Sequence, residues 1–354
     1  MTKLSPAGDL VGHTLPNGWR VVEKVYKQPA DTGGNFSVNY WVENEQGGRA
    51  FCKVLDLEWI LKSRQRGSNL VDALTRATQA YQFERDLARM CVSMSRVITA
   101  LDDGEVEIEG DYAFPTVSYI IFEAAGKDIR KLLNLGDELD VPLRLRALHH
   151  LATGINQLHT NKVAHQDVKP SNTLVFEPDF TGNRVTKLGD LGRATVHGRP
   201  AEHDNLLIAG DRTYAPPEAL YGKPMEGIGP RRFAVDLYQL GSMICYVFTS
   251  VSFNALLRDE LHPEHIWGNW GQSYDDVLPF VRDAFGRALE RLAEDVPKSI
   301  KDDVYSLVSQ LCDPDPMRRG HAKTRSMRGN PYALQRIVTE LDVLARKAAM
   351  ELRS

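Results

Sequence analysis

The sequence predicts an α+β protein, strand-rich in its first part and mainly helical in the remainder. Three observations carry that prediction. Short apolar, β-branched stretches separated by Gly turns fill the chain up to Phe122, among them Trp19–Tyr26 (WRVVEKVY) and Arg49–Leu55 (RAFCKVL). Beyond Lys127 apolar residues recur at helical intervals, most clearly in Leu143–Thr160 (LRLRALHHLATGINQLHT). Within that helical part, Val163–Phe176 (VAHQDVKPSNTLVF) sets a polar centre between two short apolar ends, as a loop held between strands would.

With 354 residues, 42% hydrophobic and 25% charged, the chain has the composition of an ordinary globular protein and ample core for one large or two medium domains. A net charge of -4 gives no overall pull toward nucleic acid or anionic membrane. Cys52, Cys91, Cys245 and Cys312 are widely separated, without paired spacing, and read as buried free thiols in a reducing compartment. The N-terminal stretch lacks the apolar core of a signal peptide, and no apolar run approaches the ~20 residues that cross a bilayer. The expectation is a cytoplasmic protein without membrane contact.

In order along the chain, residues 1–18 are punctuated by Gly and Pro and read as a loose lead-in. After the first strand, Lys27–Gly34 (KQPADTGG) is turn-rich, and Asn35–Asn44 alternates as a strand does. Gln46-Gly47-Gly48 makes a hairpin turn into Arg49–Leu55. Lys53 is a lone cation among the apolar residues of that strand, so it is either partnered or reaching from an edge to solvent. The connection Asp56–Asn69 carries Lys62, Arg64 and Arg66 and reads as a solvated basic insert. Leu70–Met90 is helical, with Leu74, Ala77, Tyr81, Leu87 and Ala88 at helical spacing. Glu84 continues the Ala77–Tyr81 side; a carboxylate there wants a cation, and Lys53 is its natural partner, Asp86 being the competing choice. Val106–Ile108 and Tyr119–Phe122 read as two further strands, and Lys127–Leu133 begins the helical part.

The polar centre of Val163–Phe176 presents His165, Asp167, Lys169 and Asn172: a carboxylate, an ammonium and an amide in close succession. A polar turn between strands would explain Asn and Asp by local hydrogen bonds alone. The spacing, however, resembles the catalytic loop of the eukaryotic-type (Hanks-type) Ser/Thr protein kinases, H-R-D-x-K-P-x-N, with Gln166 in the Arg position. The resemblance implies a bilobal fold: a small β-rich N-lobe over residues 19–125, a larger helical C-lobe over 126–330, and ATP between them. A C-terminal amphipathic helix would follow over 331–354. It implies that Asp167 accepts or orients the attacking hydroxyl proton, Lys169 reaches the transferring phosphate, and Asn172 offers a neutral oxygen to Mg²⁺.

The other motifs follow in the family's order. Thr32–Ser37 resembles the glycine loop, with Gly34 as its second glycine and Thr32 and Ser37 replacing the first and third; Gly33, Gly34 and Phe36 would then meet the ATP phosphates. Lys53 resembles the lysine that holds the α- and β-phosphates and pairs with a helix glutamate, here Glu84. Glu123-Ala124-Ala125-Gly126 resembles the hinge, Glu123 and Ala125 binding adenine through their backbone behind Phe122 as gatekeeper. Asp190-Leu191-Gly192 resembles D-F-G, which makes Asp190 the second Mg²⁺ ligand. Pro216-Pro217-Glu218 resembles the end of the substrate-binding loop, whose Glu pairs with a distant Arg, here Arg319 with Arg318 as the alternative. Asp236 resembles the buried Asp that holds the catalytic-loop backbone, with Tyr238 in the usual Trp place.

Several features lie outside these motifs. His149, His150 and His159 lack metal-ligand spacing and read as packing or surface residues. Trp267 and Trp270 read as core anchors in a long connection between amphipathic helices. The basic stretch Met317–Arg328 has no interleaved aromatics, which argues against nucleic acid. Leu334, Ile337, Leu341 and Leu344 form a stripe on the terminal helix that must be covered, by the C-lobe or by a second protomer in a homodimer.

The function expected is ATP-dependent transfer of the γ-phosphate to a Ser or Thr hydroxyl of an unidentified protein substrate, with Mg²⁺. Lys169-Pro170 and the PPE segment favour protein substrates over small molecules. Gln166 has no charge to meet an activation-loop phosphate, and Thr195 is the one hydroxyl residue between Gly192 and Gly210, so activity is expected without phosphorylation there. The rival is a pseudokinase, a nucleotide-binding or interaction module. The altered glycine loop and DLG favour it; the presence of Lys53, Glu84, Asp167, Lys169, Asn172 and Asp190 opposes it.

Overall fold

The computed structural model of the protein describes residues 5–26, 37–63, 69–133, 141–178, 182, 184–223, 230–326 and 329–351. The chain divides into two compact units, Met1–Gly126 and Lys127–Ser354.

The first unit is built on an antiparallel sheet of β1 (Arg20–Val25), β2 (Ser37–Glu43), β3 (Arg49–Leu55), β4 (Ala100–Glu107) and β5 (Thr116–Glu123), in the order β1-β2-β3-β5-β4. Alternation along β3 sends Ala50, Cys52 and Val54 into a core with Tyr40, Val42, Tyr119 and Ile121, leaving Phe51 and Lys53 on the other face. Leu10 and Leu15 join that core, and the Tyr40 hydroxyl donates to the Ala7 carbonyl at 2.6 Å. The described part of the lead-in is therefore packed against the sheet rather than loose. Two helices accompany the sheet, α1 (Leu57–Ser63) and α2 (Leu70–Met90). The first replaces part of the expected basic insert: Asp56 caps it through the Trp59 amide at 2.9 Å, and Lys62 pairs with Glu58 one turn back. Arg64 and Arg66 lie outside the described residues. Asn69 caps α2 through the Val71 amide. The strand β4 extends well before Val106 because an edge strand tolerates the polar run ALDDGEVE, which hides it from a search for apolar alternation.

The second unit begins with β6 (Lys127–Asp128), α3 (Ile129–Leu133) and α4 (Val141–Thr160). Short strands β7 (Val163–Ala164), β8 (Thr173–Val175), β9 (Thr186–Leu188) and β10 (Thr195–Val196) frame the polar loop, with β7 paired to β10 and β8 lying between β6 and β9. Helices α5 (Pro217–Leu220), α6 (Pro230–Thr249), α7 (Phe253–Glu260), α8 (Tyr274–Asp295), α9 (Lys301–Leu311), α10 (Ala322–Arg325) and α11 (Gln335–Glu351) complete it. The apolar stripe Leu334, Ile337, Leu341 and Leu344 is buried, and α11 lies against α4, where Arg146 meets Asp342 at 2.7 Å. The face that a second protomer could have covered is thus occupied by the same chain. Trp267 and Trp270 are half-buried rather than core anchors; Trp267 meets Tyr221 edge-on and Trp270 meets His265. All four cysteines are buried free thiols. Among the described residues no single helix is long and apolar enough to cross a membrane.

Candidate active site

In the first unit, Lys53 and Glu84 form a chelated ion pair, Nζ lying 2.7 Å from Oε1 and 2.8 Å from Oε2. The sheet sets the lysine: β3 is central, so the backbone of Lys53 is paired to Asn39 on one side and Ile120 on the other. The helix sets the glutamate, which shares a buried stripe with Ala77, Leu87 and Ala88. Tyr81 donates to the Tyr119 carbonyl at 2.8 Å and Arg89 grips Asp103, which tie α2 to β5 and β4. Asp86, the competing choice, pairs with its neighbour Arg85 instead. Phe122 is buried in β5, and the Glu123 side chain accepts the Thr99 amide at 2.7 Å. Ala125 is half-buried. Gly33, Gly34 and Phe36 lie outside the described residues.

In the second unit, α6 holds the polar loop from beneath. Asp236, fully buried, accepts the His165 and Gln166 amides at 2.7 Å each and meets His159 Nε2 at 2.8 Å. One turn along the same face, Gln239 accepts the Val168 amide and donates to the Gln166 carbonyl, both at 2.9 Å. So anchored, Gln166 adopts a left-handed backbone (φ 61°), a costly conformation for a non-Gly residue that only a tightly held loop sustains. His165 links this loop to the next motif. Its Nδ1 accepts the Asp167 amide at 3.2 Å, so Nε2 carries the proton and donates to the Gly189 carbonyl at 3.0 Å.

Asp167 is the centre of the arrangement. Oδ2 lies 3.0 Å from Lys169 Nζ and accepts from Asn172 Nδ2 at 3.0 Å, while Oδ1 accepts the Asp211 amide at 2.8 Å. Burial pushes this carboxyl above the ordinary aspartate range; the Lys169 ammonium restrains the rise and the nearby Asp190 charge adds to it. A buried carboxylate with a raised pKa, aimed by three donors, is equipped to receive or orient a proton. Asp190 has a left-handed backbone (φ 60°), and Leu191 behind it is buried.

The donor chemistry suits a hard cation. Asn172 spends both contacts of its amide nitrogen on Asp167, at 2.9 Å to the carbonyl and 3.0 Å to the carboxylate, while its oxygen accepts from the Ser171 hydroxyl at 3.5 Å. An amide oxygen and the Asp190 carboxylate are oxygen ligands of the kind Mg²⁺ takes. Among the described residues there is no group of three or more His, Cys, Asp or Glu side chains that could hold a metal ion.

The family model for the protein kinase domain matches residues 76–329, more than half of the chain. The chain belongs to the protein kinase domain family. The serine/threonine-protein kinase DCLK1 of Mus musculus is 27% identical over 297 residues, covering 77% of this chain and 35% of that protein. The serine/threonine-protein kinase/endoribonuclease IRE1 of Oryza sativa subsp. japonica is 26% identical over 321 residues, covering 88% and 31%. This kinase domain chain thus spans about a third of the length of these two relatives. CBL-interacting protein kinase 20 of the same rice is 23% identical over 314 residues, 86% of this chain and 57% of its own.

Within the kinase domain, the glutamate of Pro216-Pro217-Glu218 finds its arginine. Glu218 pairs with Arg319 and not Arg318, which turns to Asp313. Burial opposes the Arg319 charge, yet the Glu218 carboxylate outweighs it and lifts the arginine above its usual pKa. Sequence reasoning missed Gln239, His159 as a partner of Asp236, and Arg232, which donates to the Gln166 side chain at 2.7 Å. The helical spacing of Gln239 from Asp236 was a usable signal; nothing local marked Arg232.

Proposed function

We propose that the chain is an ATP-dependent Ser/Thr protein kinase that transfers the γ-phosphate to a protein hydroxyl. The observation that carries the proposal is the setting of Asp167: buried, raised in pKa, and aimed by Lys169, Asn172 and the Asp211 amide. In this reading Asp167 orients the hydroxyl and takes its proton as the new P–O bond forms. Lys169 supports the negative charge of the transferring phosphoryl group, and Lys53, held by Glu84, positions the α- and β-phosphates. Asn172 and Asp190 would hold Mg²⁺, which would supply neutralisation of phosphate charge. Gly33, Gly34 and Phe36 cover the phosphates, and the Glu123–Ala125 backbone receives adenine. Lys169-Pro170 and the Pro216-Pro217-Glu218 segment support a protein Ser or Thr as acceptor, as do the names of the relatives. The four buried free thiols fit a reducing compartment such as the cytoplasm. Activity is proposed to be independent of phosphorylation between Gly192 and Gly210, where Thr195 is buried.

The test is transfer of labelled phosphate from ATP-Mg²⁺ to the protein itself and to a basic protein substrate, for wild type, Asp167→Ala and Asp190→Ala, followed by phosphoamino-acid identification. Labelling of Ser or Thr by wild type alone supports the proposal. Nucleotide binding without transfer under every substrate tried would replace it with the pseudokinase reading.

A further inference from the structure

Gln166, neutral where an arginine is expected, is not idle. Its Oε1 accepts from Arg232 Nη1 at 2.7 Å, and its Nε2 donates to the Thr195 hydroxyl. Arg232 stands in the first turn of α6, buried, with Nη1 3.8 Å from Asp204 Oδ1 and Nη2 donating to the Asp204 carbonyl. The Asp204 side chain is buried as well. Its Oδ1 accepts the Thr195 hydroxyl at 2.5 Å and its Oδ2 accepts the Ala201 amide at 2.7 Å. One ionic unit therefore joins four parts of the chain: the catalytic loop, β10, the middle of the following segment, and α6.

The energetics favour treating this unit as a device. Burial works against the Arg232 charge and Asp204 supports it, while Arg232 Nε has no hydrogen-bond partner among the described residues. A guanidinium in that setting depends on the carboxylate that the described residues bring to it, Asp204. The segment continues from Asp204 to Asp211, whose amide donates to Asp167 Oδ1. Whatever fixes Asp204 thus fixes one end of a short stretch whose other end aims the central carboxylate. Thr195 cannot take over as a phosphate-bearing switch. It is buried, its hydroxyl is given to Asp204, and a phosphate there would set like charge against that carboxylate.

We propose that Asp204 and Arg232 form a permanent clamp, in which a carboxylate encoded in the chain and an arginine supplied by α6 do for this segment what a phosphate and a catalytic-loop arginine would do. Both are positioning residues: they act on the reaction through Gln166 and the Asp211–Asp167 contact. The clamp deepens the kinase reading and rests on it for its catalytic consequence.

The test joins hydrogen–deuterium exchange of the full chain with phosphate transfer, on phosphatase-treated wild type, Asp204→Asn and Arg232→Met. Phosphatase-treated wild type is expected to keep its transfer rate and slow exchange over residues 195–211. Each variant is expected to exchange at least tenfold faster there, with α8 unchanged, and to lose at least tenfold in kcat while its KM for ATP stays within twofold. Thr195→Val keeps the volume and removes no charge, so it serves where the charge variants do not fold; exchange over 200–206 should quicken several-fold. Wild-type exchange over 195–211 in the variants overturns the clamp, as does a loss of protection spread evenly over the chain. So does loss of wild-type activity on phosphatase treatment. A wild type that transfers no phosphate but shows clamp-dependent protection would overturn the kinase reading and leave the clamp standing. Transfer by wild type with unaffected variants would do the reverse.

Discussion

The Glu218 carboxylate and the Arg319 guanidinium meet fork to fork across 101 residues of chain, both hydrogen bonds at 2.6 Å. Arg319 is wholly buried, donates further to the Asp313 carbonyl at 2.8 Å, and lies over the Tyr238 ring. The pair therefore knits the first turn of α5 to the turn after α9.

Removing one partner orphans a buried charge. Glu218→Ala is expected to cost about 3–5 kcal/mol of stability, read as a lower denaturant midpoint. Glu218→Leu with Arg319→Met removes both charges and should recover most of that loss. A single variant as stable as wild type would contradict this account of the pair.

A Cβ on Gly210 would lie 2.6 Å from Asp167 Oδ1 and closer still to the Gln166 carbonyl. Backbone and a pinned carboxylate cannot retreat as a flexible side chain could. Gly210→Ala should therefore displace Asp167 and lower phosphate transfer roughly a hundredfold, since a small misplacement at the reacting group is that costly. Nucleotide affinity should be little changed; transfer at the wild-type rate would refute the contact.

The pH dependence follows from the raised Asp167 pKa. As a base, Asp167 works ionised, and burial keeps it protonated to higher pH than a free aspartate. The acid limb of kcat should therefore lie above the ordinary aspartate range, with activity gained as pH rises through it. Lys169 restrains the shift, so Lys169→Met should move the limb further up while lowering its plateau. Profiles of kcat against pH for the two proteins decide this; an unmoved limb would deny the coupling.

Lys53 and Glu84 form a close, largely enclosed pair, so the two should act as a unit. Lys53→Met is expected to lower transfer roughly a hundredfold, and adding Glu84→Gln should cost little more. Fully additive losses in kcat/KM would show that the pair is not coupled.

Much of the site was legible locally. Val163–Phe176 carries its own signal because a loop held between two strands needs apolar ends and a polar centre within a few residues. Lys53 stood out as a cation among buried neighbours, and Glu84 as a carboxylate on an inward stripe. By contrast β4 was half missed, since an edge strand need not alternate, and α1 was missed because its helix is short and charged.

By itself the sequence determined the order of the motifs, the strand-rich beginning and the helical remainder, because period and turn chemistry act over a few neighbouring residues. The tertiary structure agreed with the sequence's first choices, Arg319 over Arg318 for Glu218 and Glu84 over Asp86 for Lys53, and it alone brought Arg232 and Asp204 together around Gln166. The reason is physical. Candidates one or two residues apart differ in the face of the element on which they stand, and packing decides which face is buried. A buried charge must then take the partner that the same packing brings within reach.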